Sequence, residues 1–160
     1  MTYIKGDYDL AVKIYKSKAA FHHCIMYPSN VYYDIDFSRN FNETKYTRVL
    51  VGNSASLTNN HLEIFDKLKK HDNIVVFTPL SYGDLDYREK VISEGRKIFK
   101  ERFMPITDFM TSDKYNKFLF SMDIAIFNHK RQEAMGNTIT LLGMGKKVFI
   151  RDDITTWVFL

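Results

Sequence analysis

Two stretches of this chain hold residue types suited to phosphate. The longer begins Asn128-His129-Lys130-Arg131-Gln132-Glu133-Ala134-Met135-Gly136-Asn137-Thr138 and runs on to Lys146. It places three potential cations, His129, Lys130 and Arg131, just after the apolar run Ile124-Ala125-Ile126-Phe127. Gly136-Asn137-Thr138 then opens an apolar helical segment, whose first amides and positive dipole end would point outward. Arg131 suits bidentate contact with phosphate oxygens. The chemistry this serves is departure of a diphosphate, whose developing charge needs donors already in place. The same string also reads as a loop whose charges face water. The shorter stretch, Gly52-Asn53-Ser54-Ala55-Ser56-Leu57-Thr58-Asn59-Asn60-His61, offers a glycine at a turn, several polar side chains and a helix start. No Gly-Lys-Ser/Thr closes it as a P-loop, and the G-x-G-x-x-G glycines are absent. A purely structural loop is the alternative, and His61 reads as a satisfied histidine at a helix start rather than a base. Tyr82, in Pro79-Leu80-Ser81-Tyr82-Gly83, either lies against a base or is an ordinary turn aromatic. Asp152-Asp153 either orients a sugar or ribose hydroxyl or caps the segment that follows; His129 is a further candidate for such a contact. The D-x-D spelling occurs at Asp7-Tyr8-Asp9, Asp34-Ile35-Asp36 and Asp84-Leu85-Asp86. Three occurrences show how cheap it is, and no His/Cys/carboxylate set has zinc spacing, so neither metal nor cofactor is expected.

The elements that must position these loops alternate from Arg48 onward. Val49-Leu50-Val51, Ile74-Val75-Val76-Phe77, Phe103-Met104-Pro105-Ile106, Ile124-Ala125-Ile126-Phe127 and Val148-Phe149-Ile150 are short apolar runs of strand length. Between them lie amphipathic stretches. His61, Ile64, Phe65 and Leu68 share one helical face, with Asn60 and Glu63 spelling a capping box. Residues 84–100 turn Tyr87, Val91, Ile92, Ile98 and Phe99 inward. Tyr115, Phe118, Leu119 and Met122 repeat the pattern. Residues 138–142 are helical up to Gly143 and Gly145, which suit a C-terminal cap. The alternation predicts an α/β fold, a Rossmann-like parallel sheet with helices on both faces. Ligands of such sheets sit at the carboxyl ends of the strands, where strand order switches. Residues 1–47 show no such alternation. They read as a helix over 7–18 followed by a connecting arm, leaving 48–160 as the domain.

Bulk composition bounds the rest. At 160 residues, 45% hydrophobic and with three prolines, the chain can bury a core as one domain. One cysteine, Cys24, argues for a reducing compartment and reads as a buried packing residue. The start has no apolar signal-peptide core, and no run approaches the roughly 20 residues of a membrane span. A cytoplasmic protein is expected. The net charge of +4 is mild. Its cations alternate with acids on two helices (Lys67, Lys69, Lys70 with Asp66; Arg88, Lys90, Arg96, Lys97, Lys100 with Glu89, Glu94, Glu101), which reads as a solvated face; peripheral contact with anionic lipid is the alternative. No nucleic acid partner is expected.

Read together, the strings Val51 to His61, Pro79 to Gly83, Phe127 to Ile139 and Leu141 to Lys146 resemble glycosyltransferase family 56, over roughly residues 6–157. That resemblance implies the C-terminal, nucleotide-sugar-binding domain of a two-domain GT-B glycosyltransferase. It further implies transfer of N-acetylfucosamine (4-acetamido-4,6-dideoxygalactose) from a TDP-sugar donor to an undecaprenyl-diphosphate-linked saccharide at the cytoplasmic face of the inner membrane, in synthesis of enterobacterial common antigen or a related polysaccharide. It places Asn53, Ser54 and Asn59 at the border of the diphosphate, Arg131, Gln132, Gly136, Asn137 and Thr138 on its oxygens, and Tyr82 near the base. The family's transfer is taken to retain configuration without metal, so no catalytic side chain is assigned. The acceptor would be held by an N-terminal domain that these residues do not supply, so the chain alone is expected to bind nucleotide weakly and transfer nothing. The alternatives are a GT-B transferase using a UDP-, GDP- or CMP-sugar, and a non-catalytic α/β interaction module.

Overall fold

The structure is a computed structural model, and it describes residues 3–24 and 45–160. Five strands form one wholly parallel sheet: β1 (Thr47–Val51), β2 (Ile74–Pro79), β3 (Phe103–Ile106), β4 (Ile124–Phe127) and β5 (Lys147–Ile150). Their order is β3-β2-β1-β4-β5. The chain walks outward from β1 to β3 and then returns to place β4 on the other side of β1. Strand order therefore switches between β1 and β4, where Leu50 pairs with Ala125 and Val51 with Ile126. The loops leaving those two strands diverge to opposite faces and open a crevice.

Side-chain alternation sorts the core into two layers. On one face Val49, Val51, Ile74 and Val76 pack with Ile64 and Phe65 of α2 (His61–Leu68) and with Val91, Ile92 and Phe99 of α3 (Leu85–Phe99). On the other, Leu50, Ala125 and Phe127 pack with Leu119 of α4 (Ser112–Phe120) and Leu141 of α5 (Met135–Gly143). Three phenylalanines, Phe65, Phe99 and Phe103, lock the first layer, two of the contacts edge to face with centroids 5.4 and 5.5 Å apart. Gly95 is where α3 passes over Phe103; a Cβ there would lie 2.3 Å from the ring. Lys69 pairs with Asp66 and Lys97 with Glu94, both at 2.6 Å and exposed, so these cations sit in a mixed, solvated face.

Several local expectations are corrected. The N-terminal helix α1 is Lys5–Tyr15, stopped by Lys16 in the left-handed region at φ 54°. It contributes nothing buried of its own. Ile4, fully buried just before it, anchors it instead, and Thr155 donates a hydrogen bond to Asp7. It lies against α6 (Thr155–Phe159), so the two ends of the described chain pack together. The capping box at Asn60 is not formed. Asn60 is itself left-handed (φ 49°), and its Nδ2 donates to the carbonyls of Thr58 and Asn128, both at 2.9 Å. Helix α5 begins three residues earlier than the apolar pattern indicates, after Ala134 at φ 54°. It ends as expected, with Gly145 at φ 71°. Cys24 is exposed among the described residues and so is not the buried packing residue expected. Asp34-Ile35-Asp36 falls outside the described residues. No helix among the described residues is long and apolar enough to cross a membrane.

Candidate functional site

Gly52 ends β1 at φ 70°, and its amide donates to the carbonyl of Ile126 at 3.1 Å, tying the first loop to β4. Only glycine fits. An added Cβ would sit 2.4 Å from His61 Nε2 and 2.6 Å from Asn59 Oδ1. Beyond it the loop is stitched to the one after β2. The Ala55 amide donates to the Tyr82 carbonyl at 2.7 Å, and the Asp84 amide donates to the Ala55 carbonyl at 3.0 Å. Asp84 then caps α3 by accepting from the Tyr87 amide at 2.7 Å.

Beneath the crevice lies a buried polar cluster that joins the two loops. Asn59 Oδ1 accepts from the Asn53 amide at 2.8 Å, which fixes that atom as the oxygen. His129 Nε2 lies 3.0 Å from it and 3.1 Å from Asn53 Oδ1. The ring must donate there, so Nε2 carries the proton. Asn59 Nδ2 in turn donates to Ser54 Oγ at 3.3 Å. Burial, and then the Arg131 charge, hold the His129 pKa below its usual value, while Glu133 opposes them. His129 is thus a neutral strut and not the cation its position after β4 led us to expect. His61 is more extreme: burial, and then His129, lower its pKa to about 3. Its Nδ1 faces the Tyr87 hydroxyl at 3.3 Å, but Nε2 is buried without a partner. So it is a core histidine, only half satisfied.

Arg131 is exposed and pairs with Glu133 at 2.9 Å. Burial would raise the Glu133 pKa, but the bonds from Arg131 and Thr58 outweigh it and leave it below the ordinary value. The loop after β4 therefore offers one unpaired exposed cation, Lys130, among the described residues, and one arginine already engaged. Gln132 Nε2 reaches the Tyr3 hydroxyl at 3.5 Å. Thr138 is buried, and its hydroxyl donates to the Ala134 carbonyl at 3.0 Å.

A cleft of about 480 Å³ opens above the carboxyl ends of β1, β2 and β3. Asn53, Tyr82, Gly136 and Asn137 line it, so it unites four of the residues picked from sequence. Ser54, Asn59, His129 and Thr138 lie buried instead, their bonds holding the loops in shape. Two tyrosines stand in the cleft walls with their hydroxyls held by asparagines: Tyr82 by Asn53 Nδ2 at 3.2 Å, Tyr115 by Asn137 Nδ2 at 2.9 Å. Sequence reasoning treated Tyr115 only as a helix residue and passed over Asp108, Phe109 and Met110, which also line the cleft. The signal was available, since they follow a strand at its carboxyl end. A second cleft, about 720 Å³, lies between α2 and the ends of β4 and β5 and includes Asp152. Asp153 is engaged by Arg151 Nε at 2.7 Å. Arg151 also donates to Asn128 Oδ1 at 3.2 Å, and Asn128 Nδ2 donates to Glu63 at 2.9 Å. The two aspartates thus belong to this second cleft and its network, away from the first. Among the described residues no group of three His, Cys, Asp or Glu is placed to hold a metal ion.

This architecture is a Rossmann-like α/β domain with a ligand-sized cleft at its switch point. In fold it is similar to the N-terminal domain of Candida albicans trehalose-6-phosphate phosphatase, with a TM-score of 0.55 at 12% identity. That match covers 71% of this chain and 29% of the other. Residues 2–157 match the 4-alpha-L-fucosyltransferase family, glycosyl transferase group 56, and the chain belongs to that family.

Proposed function

We propose that this chain is the donor-binding half of a GT-B fucosyltransferase-type enzyme, with residues 48–160 as the donor domain and 1–47 as an arm toward the acceptor half. The donor is TDP-N-acetylfucosamine and the acceptor an undecaprenyl-diphosphate-linked saccharide, met at the cytoplasmic face of the membrane. The observation that carries the reading is the cleft at the switch point, walled on one side by the first turn of α5 and on the other by held aromatics, in a chain of this family.

In this reading the diphosphate lies against Gly136 and Asn137 at the start of α5, with Asn53 at its border and Arg131 and Gln132 closing over it. Tyr82 stands beside the nucleoside. Ser54, Asn59, His129 and Thr138 act from below by fixing the loops. In the transfer the bond between the sugar anomeric carbon and the β-phosphate oxygen breaks, and one to the acceptor oxygen forms. The acceptor proton passes to the leaving phosphate, whose charge the α5 amides and Arg131 meet. No side chain is needed as acid or base. Asp152, across α2, is left for a sugar or ribose hydroxyl only if the donor spans both clefts.

A thermal-shift series with TDP, UDP, GDP and CMP checks this. A ligand at 100 times its Kd adds about 2.7 kcal/mol, and TDP is expected to give the largest rise. Sugar transfer is expected only when an acceptor-binding half is supplied. Turnover of a TDP-sugar by the 160-residue chain alone would overturn the division of labour, and no response to any nucleotide would overturn the donor site.

A further inference from the structure

The switch-point cleft carries a polarity that the donor-site reading does not use. Of the described residues lining it, only Asp108 is charged. Asp108 follows β3, the sheet's edge strand, whereas the start of α5 follows β4. Three inter-strand steps, about 14 Å at roughly 4.8 Å each, separate the strands from which the two leave. The cleft is thus lined by the first residues of α5, which follows β4, and by a carboxylate that follows β3, with Tyr82, Phe109 and Tyr115 also in its walls. Asp108 is exposed, and no ion pair among the described residues occupies it. Phe109 beside it is 86% exposed, an apolar ring left open to solvent at the mouth of a cleft.

An anionic ligand end is repelled from Asp108 and drawn to α5. Whatever lies at the β3 end must be flat enough to meet aromatic walls and must present an N–H to a carboxylate. A nucleobase does both, and it stacks on such rings whatever its identity. The carboxylate then discriminates. Thymine and uracil present an N3–H flanked by two carbonyl oxygens, a pattern that suits a carboxylate oxygen as acceptor with hydroxyl donors beside it, and Ser81 and Ser112 stand in the same lining to supply them. Cytosine puts an unprotonated ring nitrogen at the same place, and lone pair would face lone pair.

Building on the donor-site reading, we propose that Asp108 is a specificity-determining residue, reading the N3–H of a thymine or uracil base held between Tyr82 and the Phe109–Tyr115 side of the cleft. This sets the direction of the donor: base over β3, diphosphate at α5, sugar emerging toward the loop after β4.

Titration calorimetry on the wild-type chain, Asp108→Asn and Asp108→Ala tests it, using TDP, CDP, N3-methyl-TDP and inorganic pyrophosphate. The exposed position leaves the fold of both variants intact, which a melting curve checks. Expected are a TDP preference over CDP of about tenfold in the wild type and its collapse to within about threefold in Asp108→Asn. N3-methyl-TDP should bind the wild type about as weakly as TDP binds Asp108→Ala, and pyrophosphate should bind all three chains within about twofold. An unchanged TDP-to-CDP ratio in Asp108→Asn, with TDP still bound, overturns the role of Asp108 and leaves the donor site standing. Failure of TDP and pyrophosphate alike to bind the wild type overturns both.

Discussion

At Gly52 a single hydrogen atom decides whether the crevice can form. A β-carbon would meet His61 Nε2 at 2.4 Å and Asn59 Oδ1 at 2.6 Å, and φ 70° is strained for any L side chain. Gly52→Ala is expected to cost about 2–4 kcal/mol, combining left-handed strain with overpacking. For a chain of this size that lowers Tm by roughly 5–15 °C in a calorimetric scan; a loss under about 2 °C would mean the loop relaxes freely. The buried histidines give a signature in pH. The folded pKa of His61 is about 3, against 6.5 when unfolded, and that of His129 is also lowered. Below pH 6.5 the unfolded chain therefore binds protons that the native chain refuses. The stability present above pH 6.5 is lost on acidification, at up to about 1.4 kcal/mol per pH unit for His61 alone. Urea midpoints at pH 7.5, 6.5 and 5.5 should fall in that order. His61→Phe should flatten the fall while changing stability little at pH 7.5, because it also removes an unpartnered buried nitrogen. A variant as steep as the wild type would move the titration elsewhere.

The elements of the sheet were legible because each strand is an apolar run of the right length between helical periodicities. What was not legible has physical causes. Ala134 carries no capping group, so the true start of α5 leaves no mark in the sequence; the apolar pattern begins only three residues later. Asn60 and Glu63 spell a capping box, yet both side chains are drawn to Asn128, 68 and 65 positions away. The Asn53–Asn59–His129 cluster likewise depends on β1 and β4 being neighbours, which strand order alone decides. Asp84, by contrast, is a real cap, and Asp84→Ala should cost about 1 kcal/mol. Ala134 at φ 54° stores strain just where α5 meets the cleft. Ala134→Gly is expected to relieve about 1 kcal/mol of it and to return about half through a freer unfolded chain. The variant should melt roughly 1–2 °C higher yet bind TDP more weakly, since the first turn of α5 loses its fixed direction. Unchanged binding together with a higher Tm would show that the strain has no bearing on the site.

At the scale of the molecule, the two ends of the described chain form one attachment. Helix α1 has no buried residue of its own and is held through Ile4, the Gly6 contact with Thr155 and the edge-to-face pair Tyr3–Phe159, with centroids 5.7 Å apart. Tyr3 also meets Gln132, in the loop after β4, so the attachment reaches the rim of the candidate site. The sheet, meanwhile, closes its two core layers without α1 or α6. This division predicts separate cooperative units of unequal stability. Ile4→Ala removes the fully buried anchor at a local cost of about 2–5 kcal/mol. Amide exchange in α1 and α6 should then quicken together, while β1, β2 and β4 keep their protection. The loop after β4 should show an intermediate response, because losing Gln132's partner leaves its ties through His129 intact. Faster exchange in α1 alone would mean that α6 is held by the sheet and not by α1. Faster exchange throughout would mean that the chain melts as a single unit, with the N-terminal helix as much a part of the domain as the strands.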